Sequence, residues 1–457
     1  MDTLPEPLPS CSLIGRTFTL FPGSNLFDYQ ETLESAEKVQ LLNLNFDKEI
    51  TIALGLNKKY IAPDNVLIAP GGTDIVAEDL LCTTGAALAN DLVANPSLGH
   101  RYLGISTEGD GKFGHRVSFN PRSLFGLWSI GKLHYTAQFN IKSLERDKIN
   151  ADFIKTARKL PSWNENDPSA RDAFAKFFAK WGTHVITGCS SGARYHLQVT
   201  RHDASDESKD NFREHIGTEY SSVLGVEGRA KGTSQYREYL CRRESKCSVM
   251  GGNLQLNTAL ARDPTSSKLF NQWRESIGSD GTHDITGVFV DSICNFLLRS
   301  PIQEHKEIAE KVQRASLFHS KFITARGVFK VKGIGNATGR VSSCEVQGAP
   351  GISLQAIPRP GTTVSALSRT MFEAQQLSGE QIECDVIMSA PPLAPIDVIL
   401  VSSKKPLSQD NPFVFDLQLQ IYPEGLSGAV TVVLGNKGNE GKVRLPNLTA
   451  IGDYVAE

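Results

Sequence analysis

The spacing of apolar positions changes period along the chain, and each change marks an element. Phe174, Phe177, Phe178 and Trp181 recur at i, i+3, i+4 and i+7, the stripe of one helical face. Ahead of them Asp167-Pro168 offers an N-cap side chain and a proline at the first helical position, where the missing N–H costs nothing. This predicts a helix that runs into Gly182. Beyond it Tyr195, Leu197 and Val199 alternate with His196, Gln198 and Thr200, the two-residue repeat of a strand with unlike faces. The expected order is helix, tight glycine turn, strand.

Further helices are predicted over Asp147 to Leu160 and Ser300 to Phe322. In the second, Ser300, Pro301 and Gln303 have the form of a capping box, and Ile308, Val312 and Ala315 supply the buried stripe. Leu269, Phe270, Trp273 and Ile277 make another amphipathic helix. Short apolar runs at Leu13 to Phe21 and Glu49 to Leu56, with a Gly71-Gly72 turn signal after them, read as a β-rich N-terminal segment over 1–80. After about 325, frequent glycine and proline punctuate alternating runs such as Phe413-Phe415-Leu417-Leu419-Ile421. The expectation is therefore an α+β chain: an N-terminal β segment, a mixed domain over 81–325, and an all-β sandwich over 326–457.

Composition narrows the function. A formal net charge of -2 over 457 residues gives no basic field for sequence-independent nucleic-acid binding. No run reaches the ~20 apolar residues of a membrane-spanning helix, since even Val288 to Leu298 is interrupted by Asp291 and Asn295. The first residues, Met1-Asp2-Thr3-Leu4-Pro5, lack a basic head and apolar run, so the expectation is synthesis in the cytoplasm without a signal peptide. Eight cysteines without metal-type spacing then read as reduced thiols, with Cys241 and Cys247 the one pair near enough to consider bridging. The sequons at Asn336 and Asn447 go unused in that compartment.

Three motifs carry chemistry in appearance only. Gly188-Cys189-Ser190-Ser191-Gly192 fits the nucleophile-elbow pattern, but that turn leads from strand to helix, and here the predicted order is reversed. Gly333-Ile334-Gly335-Asn336-Ala337-Thr338-Gly339 has a dinucleotide-loop look with the last spacing one residue too long, and strand-like alternation follows it. His184, Cys189 and His196 offer no convergent fourth metal ligand. No catalytic residue, cofactor or metal is expected.

Trp181-Gly182-Thr183-His184-Val185, followed after six residues by Gly192-Ala193, resembles the signature of the membrane attack complex/perforin (MACPF) family. Five of its seven fixed positions are met; Val185 stands where the family has an aromatic residue, and Ala193 where it has a second glycine. Downstream, a strand, the polar stretch Arg201 to Lys246, and Cys247-Ser248-Val249-Met250-Gly251-Gly252 follow in the family's order, a likeness covering roughly 85–325. The resemblance implies a bent antiparallel sheet flanked by two helical clusters. It also implies a soluble monomer that assembles into a homo-oligomeric ring on a lipid membrane and refolds those clusters into spanning β-hairpins. Gly182, Gly192, Gly251 and Gly252 would then be hinge positions, with Thr183 and His184 fixing the turn.

Spanning strands need ~9 to 11 residues with apolar side chains at alternate positions. Leu127, Ser129, Gly131, Leu133, Tyr135, Ala137, Phe139 and Ile141 form one such row, with a separate Gly109-Asp110-Gly111 turn upstream between Arg101 to Glu108 and Lys112 to Phe119. Ser222, Leu224, Val226, Gly228 and Ala230 form a shorter one within a stretch holding 18 charged residues among 46. The likeness to fungal, pleurotolysin B-like members implies a lipid-binding partner of the aegerolysin type and action at a membrane after non-classical release. The alternative is a non-lytic protein of the same fold, repurposed for partner or small-molecule binding or for catalysis.

Overall fold

The structure, a computed structural model, describes residues 5–18, 39–52, 58–85, 87–88, 91, 95, 98–107, 123–145, 148–201, 208–226, 228, 230–277, 284–320, 323–333, 341–348, 352–368, 370–377, 381–390, 394–402, 415–423, 430–434, 440–448 and 452–456. The chain divides into two compact units, the first made of Met1–Thr19, Asn25–Ser162 and Lys176–Gln313, the second of Leu20–Ser24, Trp163–Ala175 and Arg314–Glu457. The fold class is α+β with mostly antiparallel sheets and a β-rich C-terminal region, as the sequence implies.

The first unit is built on two long strands. β9 (Leu124–Phe139) and β10 (His184–Arg201) pair antiparallel from Gly188↔Gln138 to Arg201↔Leu124. The far edge of β9 takes β5 (Val66–Pro70), β6 (Val76–Ala77) and β7 (Leu81–Thr84). The far edge of β10 takes β12 (Asp284–Ser292) and then β11 (Glu244–Met250), β2 (Thr17–Phe18) pairs with the start of β10 on the edge that β9 takes farther along, and β8 (Ile105–Thr107) runs parallel to β12. β1 (Glu6–Pro7), β3 (Phe46–Ile52) and β4 (Lys58–Pro63) form a small separate sheet.

Helices α1 (Ala151–Arg158) and α2 (Pro168–Trp181) precede β10. α3 (Lys209–Val223) and α4 (Ser234–Arg242) lie between β10 and β11, α5 (Leu254–Arg262) and α6 (Ser267–Ser276) between β11 and β12, and α7 (Ile293–Leu298) and α8 (Gln303–Ser320) follow β12. Trp128 and Ile130 of β9 and Tyr195, Leu197 and Val199 of β10 form one core with Phe212, Ile216 and Tyr220 of α3 and Phe270 and Trp273 of α6. The alternation read at 195–200 therefore has the helical cluster on its apolar face.

Several boundaries differ from the sequence expectation for local reasons. The expected strand at 195–200 extends back to His184; residues 184–194 are buried on both faces and carry no alternation that would mark them as strand. α1 starts at Ala151 because Asn150 caps it, accepting from the Asp152 N–H at 2.9 Å. α8 starts at Gln303: Ser300 Oγ accepts from the Ile302 N–H and meets His305 Nδ1 at 2.8 Å, a turn before the helix rather than its cap. α2 begins as expected, with Asp167 Oδ1 accepting from the Ser169 N–H. Arg101 to Glu108 is not one strand; a π-helical turn, Gly99–Leu103, ends at Gly104 before the short β8. The Gly109-Asp110-Gly111 turn and Lys112 to Phe119 lie outside the described residues.

The first hairpin row needs two corrections. Ile141 is not on the strand, which ends at Phe139; Asn140 caps a short 3-10 turn, Ile141–Ser143, through the Lys142 N–H. His134 is an extra residue in the β9–β10 ladder, where Leu133 pairs with Gly192 but Tyr135 pairs with Ser191. Neighbours on β10 point to opposite faces, so Leu127 and Leu133 lie on one face of the sheet, and Tyr135, Ala137 and Phe139 on the other. Four of these five are buried, and Leu133 is exposed.

In the second unit, β15 (Ser353–Pro358), β18 (Gln381–Ala390), β13 (Ile323–Gly333), β20 (Phe415–Pro423), β21 (Val430–Leu434) and β23 (Gly452–Ala456) form one sheet in that order. β16 (Thr362–Ser368), β17 (Met371–Gln376), β14 (Val341–Gly348), β19 (Ile396–Ser402) and β22 (Glu440–Leu445) form the other. Both sheets feed one core, in which Phe329 meets Phe372 edge-on at 5.1 Å, so the unit is a β-sandwich. All eight cysteines are free thiols, Cys241 exposed on α4 and Cys247 half-buried on β11.

Candidate functional site

The Trp-Gly-Thr-His segment seats the start of β10. Trp181 ends the α2 stripe, buried and edge-on to Phe153 at 5.3 Å. Gly182 then donates its N–H to Phe178 O and turns the chain at φ +70°, a left-handed conformation that favours glycine. A Cβ there would stand 2.6 Å from Phe18 O, so the close approach of β2 also requires glycine. Thr183 donates its N–H to Phe18 O and accepts from the Ile293 N–H, while its Oγ1 meets His184 Nδ1 at 2.8 Å. His184 pairs with Phe18 on one side and Ser292 on the other. The motif thus locks a helix end to three strands.

A second glycine site lies farther along β10, at the His134 bulge. A Cβ on Gly192 would fall 2.0 Å from Lys132 O, and one on Gly251 only 2.5 Å from Gly192 O. Gly251, at φ +70°, donates its N–H to Asp284 Oδ2 at 2.6 Å and accepts from Trp273 Nε1 at 3.1 Å. Gly252 follows, also left-handed at φ +69°. Gly192 and Gly251, far apart in the chain, therefore touch where β11 leaves β10.

The helical insert between β10 and β11 packs through α3. Tyr220 stacks on Trp128 with centroids 5.0 Å apart, and Phe212, Ile216 and Val223 are fully buried beside it. Leu224 and Val226 sit at the helix end and the turn after it, about half exposed, whereas Ala230 is buried; in this fold none of the three is on a strand. Glu219 is 1% exposed, yet its carboxylate accepts Arg243 Nε at 2.9 Å, Arg243 Nη2 at 2.8 Å and Tyr239 Oη at 2.9 Å. Burial first, and the Glu219 charge second, push the Tyr239 hydroxyl up, so it stays a donor. In the sequence these charges are two of the 18 in the stretch Arg201 to Lys246, and no spacing rule links positions 219 and 243.

On the other face of β10, buried Arg194 donates to Ser129 Oγ and to the carbonyls of His100, Arg101 and Thr286. Ser190 Oγ lies 3.3 Å from His100 Nε2, in mid-strand rather than on a strand-to-helix turn. Burial, and then the Arg194 charge, lower the pKa of His100 to about 4 and of His196 to about 3. His184 and His196 stand twelve strand positions apart, on the order of 40 Å, and among the described residues no group of three or more His, Cys, Asp or Glu is placed to hold a metal ion. No helix among those residues is long and apolar enough to cross a membrane, which leaves a β-barrel untouched.

A search of curated proteins finds no match. Among solved structures, GNIP1Aa from Chromobacterium piscinae is similar at 9% identity and TM-score 0.43, over 89% of this chain and 79% of that one. A MAC/Perforin protein of Bacteroides thetaiotaomicron, titled a putative cell invasion protein, matches at 10% identity and TM-score 0.36 over 95% and 70% of the two chains. Astrotactin-2, described as a vertebrate-specific perforin-like membrane protein, matches at 10% and 0.33 over 94% and 73%. The MAC/Perforin domain family itself matches residues 133–280, narrower than the 85–325 read from the sequence but spanning the His134 bulge, the motif, the helical insert and the Gly251-Gly252 turn. Over residues 133–280, then, this chain is similar to the MAC/Perforin domain family.

Proposed function

We propose that the chain is a pore-forming protein, not an enzyme, whose insert between β10 and β11 refolds from helices into a membrane-spanning β-hairpin when copies assemble on a lipid surface. The pairing of β10 with β11 carries this reading. It runs from Arg194↔Met250 to Thr200↔Glu244 without a shift. Continued residue for residue, it brings Phe212 opposite Gly232, Ile216 opposite Gly228 and Tyr220 opposite Leu224, with Ser222 at the tip. Even positions from 212 to 232 then share one face, and Glu214 is the only charge among them. Odd positions between them, including Arg213, Glu219, Glu227, Arg229 and Lys231, share the other. Each arm is long enough for the ~9 to 11 residues of a spanning strand, and one face suits lipid while the other suits a water-filled lumen. The row Leu224, Val226 and Ala230 is the second arm.

A single hairpin in lipid leaves unpaired backbone edges, so insertion requires many copies closing one barrel. In this account the sandwich recognises the membrane, directly or through an aegerolysin-type partner, after release of a cytoplasmic product. The test is dye release from liposomes of several compositions, with and without extract from producing cells, read beside electron microscopy for rings. A cysteine pair tying α3 to β9 should abolish release, and reduction should restore it. Silence in every mixture from a protein that stays monomeric would instead favour a non-lytic role for the same fold.

A further inference from the structure

We infer that Glu219, Arg243 and Tyr239 form a latch that sets how readily the helical insert opens, an inference that rests on the refolding reading above for its role at a membrane. Glu219 sits in the middle of α3, and Arg243 is the last residue before β11 begins. Their two-pronged contact, joined by the Tyr239 hydroxyl, ties the first helix of the insert to the insert's end. It is a charge pair taken out of water, with the side chains 1% and 18% exposed.

The geometry admits this contact in one state only. In the continued β10–β11 pairing, Glu219 would face Gly225 and Arg243 would face Arg201, some eighteen positions away, on the order of 60 Å along the hairpin. An interaction present in one of two states biases the equilibrium between them by its full strength. Removing one partner strands a buried charge, whereas replacing both with neutral groups of similar volume removes the strain along with the bond. Tyr239 also packs its ring against Phe212 and His215, so its hydroxyl can be deleted with that packing kept.

The experiment is hydrogen exchange of the full chain in solution, without lipid. Glu219→Gln and Arg243→Gln should each speed exchange in residues 209–223 and 234–242 by ~10-fold or more and leave the sandwich strands 323–333 and 381–390 unchanged. The Glu219→Gln/Arg243→Met double variant should exchange more slowly than either single variant, and Tyr239→Phe should fall between wild type and the singles. If a single variant fails to fold, the comparison of wild type, Tyr239→Phe and the double variant carries the same test. Exchange that rises no more in the insert than in the sandwich, or a double variant as fast as the two single effects combined, would overturn the latch. Dye release is read separately: a confirmed latch with no release from any liposome would sink the pore-forming reading alone.

Discussion

β10 and the insert that continues it make opposite use of their sequences. β10 is strand through eighteen residues although most of it is buried on both sides and shows little alternation, while residues 209–242 fold largely as helices although their even positions alternate with polar ones. The difference lies in the neighbours. β10 has a strand on each edge, so its backbone groups are satisfied by ladders whatever its side chains. Residues 209–223 and 234–242 are instead helical, and helices satisfy their backbone internally. Phe212, Ile216, Tyr220 and Leu224 stand four apart, a spacing that fits a helical stripe and also keeps every member on one face of a strand. One set of side chains can thus serve two folds, and context selects between them.

The comparison can be broken first at Trp128, which holds α3 to the sheet through Tyr220. Trp128→Ala should cost ~3 to 5 kcal/mol by denaturant unfolding and free the insert before the sandwich. Gly251→Ala comes next: at φ +70° and 2.5 Å from Gly192 O, a methyl group should cost ~2 to 3 kcal/mol, read as a lowered denaturation midpoint.

Acid should sharpen the same contrast. His100 and His196 titrate in the folded chain near 4 and 3, below their ordinary 6.5, so the folded state binds fewer protons than the unfolded one. Their contribution is complete above about pH 6.5 and is lost as pH falls from there toward 4, at up to ~1.4 kcal/mol per pH unit for each histidine. Unfolding midpoints measured between pH 7.5 and 5 should show that slope, and His196→Gln should reduce it. The smallest effect belongs to Gly217, in mid-α3, where an added Cβ would meet no atom within 4 Å outside the helix's own backbone. Gly217→Ala should stabilise the helical form by ~0.5 to 1 kcal/mol and slow any dye release.

Much of this was legible because it rests on local rules. The Phe174–Trp181 stripe, the Asp167 cap, the glycine turn and the β texture of the C-terminal region all follow from neighbours in sequence. The rest depends on partners distant in the chain. The first half of β10 carries no alternation, the His134 bulge shows only against Ser191 and Gly192, and Ile141 belongs to a turn set by Asn140. Of the site, the motif residues and both glycine positions were visible, but not that Gly251 closes on Gly192. Glu219 and Arg243 were hidden because a charge gives no sign in sequence of being buried.

The claim that the insert becomes a hairpin with Ser222 at its tip is tested most directly by placing single cysteines from 212 to 232, in a Cys241→Ser background, and reading an environment-sensitive dye on liposomes. The account predicts a two-residue alternation, with even positions moving into lipid and odd positions staying in water, on both sides of Ser222. Unchanged signals, or a periodicity of three to four residues, would contradict it.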